Sequence, residues 1–118
     1  MDSVQASDRQ APEGADVRRF ELHIEHRTLK QGISKIVISH GDWIELRWHS
    51  NEPVEIHIHG YDIEQWIGSE AAAVTRFHAH ATGRFPITAH RFGGPAQWGE
   101  TDGRDHHPTL LYLEVHPQ

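Results

Sequence analysis

From Phe20 onward, apolar and polar residues alternate with period two through most of the chain. Successive side chains on a strand point to opposite faces, so such alternation fits half-buried β-structure and does not suit a helix. Phe20, Leu22 and Ile24 alternate with Glu21, His23 and Glu25. Ile33 to Ile38 has the β-branched enrichment of a strand and lies between turn signals at Gln31-Gly32 and His40-Gly41-Asp42. Ile44, Leu46 and Trp48 share one face, as do Val54, Ile56 and Ile58, with Ser50 to Pro53 breaking the run between them. Val74 to Ala79, Phe85 to His90 and Leu110 to Val115 read as further strands. Residues 61 to 72 are less regular, and Ser69 is placed to cap a short helical turn over Glu70 to Ala73. Residues 91 to 108, with four glycines and two prolines, read as a long loop that should tighten when a ligand arrives. About seven short strands with turns between them predict an all-β fold, a Greek-key β-sandwich or barrel.

The 118 residues suit one domain, expected over 19–118 behind a polar, flexible tail at 1–18. The net charge of −6 gives no basic footprint for nucleic acid. No apolar run approaches the roughly 20 residues of a membrane span, so no transmembrane segment is expected, and no stretch reads as a signal peptide. There is no cysteine, which removes disulfides, thiolate metal sites and thiol catalysis together.

The chain is histidine-rich, with 12 imidazoles. Neutral imidazole is the commonest protein ligand for copper, zinc and nickel. His57 and His59 stand at i and i+2 in Ile56-His57-Ile58-His59-Gly60, so on a strand they share a face and make half of a metal site. His78 and His80 repeat that spacing. His23, His26, His40, His49 and His116 are scattered and read as surface or turn residues.

The order of these pieces over about residues 20 to 117 resembles the cupredoxin family. Ile36 to Leu46, with its Gly41-Asp42 turn, looks like that family's second and third strands. Asn51 followed by His57 resembles its asparagine and first metal histidine, and Gly83-Arg84-Phe85 its glycine-x-aromatic entry to the metal loop. The run His57 to Asp62 is similar to a cysteine-free branch of cupredoxin-like domains. The position of the blue-copper cysteine falls on Ile87 or Ala89, both apolar, so a His₂Cys blue-copper site cannot form. His57-Ile58-His59-Gly60 also resembles the H-x-H-G copper motif of multicopper oxidases. His90, seven residues after Gly83, fits the second histidine of their next motif, whose first position here is Thr88.

The resemblance implies that His57 or His59, His90, and His106 or His107 converge at one end of the barrel. The only methionine is Met1, so no thioether completes the set, and imidazoles alone suit Cu(II), with Zn(II) the next candidate. Asp62 and Asp105 stand near these histidines in sequence as acceptors able to fix a tautomer. The expected function is a copper-binding protein with a non-blue, histidine-only site, buffering or delivering Cu(II). It is expected in the periplasm or another extracytoplasmic space, with a protein partner in metal transfer or transport. The alternative is a metal-free cupredoxin-like binding module that partners a membrane or transport system. No carboxylate, tyrosine or nucleophile is placed by sequence as a general acid or base, so binding is expected in preference to catalysis.

Overall fold

The computed structural model describes residues 11–92 and 108–118. Among them are nine strands and no helix: β1 Val17–Glu25, β2 Thr28–Leu29, β3 Lys35–Ser39, β4 Trp43–Ser50, β5 Val54–Ile58, β6 Ile63–Ile67, β7 Ala73–His78, β8 Gly83–His90 and β9 Thr109–His116. They form two sheets, of order β2-β1-β4-β7 and β3-β9-β8-β5-β6. Each sheet contains one parallel pair, β1 with β4 and β3 with β9. These pairs need crossover connections, which carry the chain from one sheet to the other. The result is the all-β sandwich expected from the alternation.

The core is what period two dictates. Leu22, Ile24, Ile44, Leu46, Trp48 and Phe77 face inward from the four-stranded sheet. Ile36, Ile38, Val54, Ile56, Ile58, Ile87, Leu111, Leu113 and Val115 meet them from the five-stranded sheet. Among the described residues Trp48 is the largest fully buried side chain, and its indole N–H needs an acceptor there. It donates to Thr75 Oγ1 at 3.2 Å, and that hydroxyl donates on to Gln65 Oε1 at 3.2 Å. A short polar line thus ties β4 and β7 to β6 in the opposite sheet.

Two strands exceed the seven expected. In β6 the inward positions are Ile63, Gln65 and Ile67, and the glutamine interrupts the apolar alternation that marks a strand. The helical turn expected over Glu70 to Ala73 is absent, because Ala73 already pairs with Trp48 as β7 begins. The two-residue strand β2 pairs with the end of β1 across His26 and Arg27, at φ 54° and 65°. Both left-handed conformations suit a primed hairpin turn, which normally carries Asn or Gly, so the sequence signal is missing. Arg27 is held there by Glu52, at 2.9 and 3.3 Å.

The loop read over 91–108 lies, except for residues 91, 92 and 108, outside the described residues. Among the described residues no helix is long and apolar enough to cross a membrane.

Candidate metal centre

Val54, Ile56 and Ile58 are buried, so Glu55 and His57 must face outward from the five-stranded sheet. His59 follows the strand and is set by a backbone bond from its N–H to Pro86 O, 3.1 Å. Gly60 then turns the chain at φ 87°, where a Cβ would overlap the Phe85 ring. Glycine is required there by conformation and by space together.

β8 lies antiparallel beside β5, with Glu55 opposite His90 and His57 opposite Thr88. Ile87 and Ala89, the positions corresponding to the blue-copper cysteine, are fully buried and face the core. Thr88 and His90 therefore lie on the histidine face, and an irregularity between Ile87 and Thr88 shifts the register there.

Three of the expected histidines gather on this face. The His57 and His59 rings lie 4.0 Å apart, centroid to centroid, with 31° between their planes. The His57 and His90 rings lie 6.5 Å apart. His59 Nε2 is 3.0 Å from Thr88 Oγ1. With Nε2 engaged by that hydroxyl, Nδ1 is the His59 nitrogen suited to a metal. His90 Nδ1 is 4.0 Å from Glu55 Oε1, which also meets Arg91 Nε at 3.6 Å. Glu64 on β6 stands opposite His57. The donors of His57, His59 and His90 do not all come within 4.8 Å of one another, so a shared ion needs side-chain rotation. His106, His107 and Asp105 lie outside the described residues.

Asp62 is exposed, at φ 58°, in the turn after Gly60. A carboxylate that does stand beside a candidate ligand is Glu55, which spacing could have indicated, since it lies two residues before His57 on the same face. His78 and His80 do not act as a pair. The His78 ring lies 4.5 Å from Trp43, and the His80 ring lies 4.8 Å from Tyr61. His26 and His40 are exposed turn residues, and His116 Nε2 meets Glu114 at 3.2 Å.

His23 and His49, expected to be isolated, are stacked on the outer face of the four-stranded sheet. Together with Glu21 they form the one group of three among the described residues whose donor atoms all lie within 4.8 Å of one another. Nothing local in the sequence indicates this, because the two histidines meet through strand register alone.

No family model and no curated protein matches the chain in sequence. Solved structures do match in shape. A multicopper oxidase superposes with a TM-score of 0.61 at 17% identity, over 87% of this chain and 40% of that one. A blue copper oxidase from Nitrosomonas europaea gives 0.62 at 15%, again over 87% and 40%. A copper-binding protein in its apo form gives 0.58 at 10%, over 91% of this chain and 93% of that one. The chain thus spans about 40% of the length of either oxidase. At these identities the likeness concerns the backbone arrangement, and the fold of this chain is cupredoxin-like.

Proposed function

We propose that this protein binds Cu(II) through histidine side chains alone and buffers or delivers it in an extracytoplasmic space. The observation that carries the proposal is the gathering of His57, His59 and His90 on one face of the β5/β8 pair. His106 and His107, which precede β9 in sequence, are the proposed completing ligands. Support also comes from the neighbours in shape, which include two copper oxidases and a copper-binding protein.

The donor chemistry favours Cu(II). Imidazole nitrogens suit its tetragonal preference, and it stands above Zn(II) and Ni(II) in intrinsic affinity. Cu(I) prefers sulfur, and the chain has no cysteine and one methionine, at residue 1. Thr88 would hold the His59 ring through its hydroxyl, and Glu55 stands near enough to His90 to attract it when charged. Zn(II) is the alternative ion for the same ligands. Calorimetric titration with Cu(II) tests the proposal. A tight equivalent that is lost in both His59→Ala and His90→Ala is expected. Absent binding, or only weak multi-site binding that neither substitution changes, would overturn it and favour a metal-free binding module.

A further inference from the structure

We propose that Glu21, His23 and His49 form a second divalent-metal site, on the outer face of the four-stranded sheet and separate from the first. The strand pattern builds it. Leu22 and Ile24 are buried, which turns Glu21 and His23 outward from β1, and buried Trp48 turns Arg47 and His49 outward from β4. The two strands run parallel, with His23 directly beside His49 and Glu21 beside Arg47. The imidazoles stack 4.4 Å apart with 7° between their planes, and His49 Nε2 lies 3.1 Å from Glu21 Oε2.

The backbone under these donors is fixed on the side away from β4. His23 N–H donates to Gln31 Oε1 at 3.1 Å, and Lys30 N–H donates to His23 O at 2.8 Å. Gln31 Nε2 donates to Glu21 O at 2.7 Å. The backbone is thus fixed, and because an imidazole's lone pair lies in its ring plane, the stacked rings need only turn about their side-chain bonds to aim at one ion.

Two imidazoles and one carboxylate, with the remaining positions open to water, match the ligand set of three-ligand zinc sites. The nitrogen donors select against the hard ions Mg(II) and Ca(II). Zn(II), with no geometric demand from its d-electrons, adapts most readily to donors set by a pleated sheet. One neighbour opposes it: Arg47 Nε lies 3.5 Å from Glu21 Oε2 and competes for the same oxygen. Arg47 therefore supplies a diagnostic that a plain surface hydrogen-bond cluster would not show.

The experiment is a Zn(II) titration of the full chain, followed by calorimetry and by the side-chain ¹⁵N resonances of the histidines. Zn(II) alone should shift His23 and His49 in the wild type and equally in a His59→Ala/His90→Ala variant. Glu21→Gln and His49→Ala should weaken or abolish that response, and Arg47→Gln should tighten it severalfold. His23 and His49 resonances unmoved by Zn(II), or an affinity untouched by all three substitutions, would overturn the proposal and leave a surface hydrogen-bonded cluster. The two sites fail separately. If only the five-stranded sheet binds metal, His59→Ala/His90→Ala abolishes all binding. If only this site exists, His23→Ala/His49→Ala does so.

Discussion

The outer faces of the two sheets both carry histidines, and strand register treats them differently. On the four-stranded sheet, His23 and His49 are direct neighbours in a parallel pair, and their rings stack at 4.4 Å. On the five-stranded sheet, His57 lies opposite Thr88 and only diagonal to His90, so those rings stay 6.5 Å apart. Among the described residues the closest ring pair there, His57 with His59, comes from chain spacing and a turn. One cluster is thus assembled by pairing between distant segments. The other is assembled by a local H-x-H motif that a second strand only approaches. Directly paired side chains stand in contact, whereas diagonal ones must reach, though the stacked rings too must turn to share an ion.

The sharpest way to break this contrast is at Gly60. Gly60→Ala puts a methyl group into the Phe85 ring at a left-handed φ. It should cost about 2–4 kcal/mol of stability, from overpacking and backbone strain together. Urea unfolding measures this cost. The effect on metal should be confined to the five-stranded sheet, weakening Cu(II) binding while leaving the Glu21/His23/His49 response intact.

A smaller effect is expected at Tyr61, which joins the His59-Gly60 turn to the β7–β8 connection. Its hydroxyl donates to Ala81 O at 2.7 Å and accepts from Ala81 N–H at 3.1 Å. Tyr61→Phe leaves both backbone groups without that partner and should cost about 1–2 kcal/mol. Burial pushes the Tyr61 phenol above its ordinary value of 10.0. Its contribution is therefore complete below pH 10 and is lost as pH rises through the raised value. Alkaline unfolding curves should show this loss in the wild type, and Tyr61→Phe should flatten it.

The smallest effect sharpens the description of the four-stranded face. The hydrogen bond from His49 holds the Glu21 carboxyl below its ordinary value of 4.5. The stability it contributes is present above that value and is lost as pH falls through the lowered one. In metal-free protein, Glu21→Gln should remove a slight acid dependence below about pH 4.5, and His49→Ala should remove the same component.

Much of the fold was legible because most strands obey one rule. Ile44, Leu46 and Trp48, and then Val54, Ile56 and Ile58, are apolar at every inward position and are all buried. β6 was hidden because its central inward residue is Gln65, whose amide oxygen accepts from Thr75 instead of packing. β2 was hidden because His26 and Arg27 make its turn without glycine. At the candidate site, the closeness of His57 and His59 was legible from spacing, and the place of His90 near them from the family resemblance, which counts seven residues on from Gly83. Glu55 lies beside His90 through the pairing of β5 with β8, a partnership that no nearness in sequence reveals. The partnership of His23 and His49 joins residues of β1 and β4 through the parallel pairing, which no local pattern encodes.

Electron paramagnetic resonance of the protein with one equivalent of Cu(II) tests the histidine-only copper site most directly. The account predicts nitrogen hyperfine structure from several imidazoles, with neither the hyperfine signature nor the colour of a thiolate. That spectrum should be lost or simplified in His59→Ala and in His90→Ala, and retained in His49→Ala. A spectrum unchanged in the first two variants would contradict it.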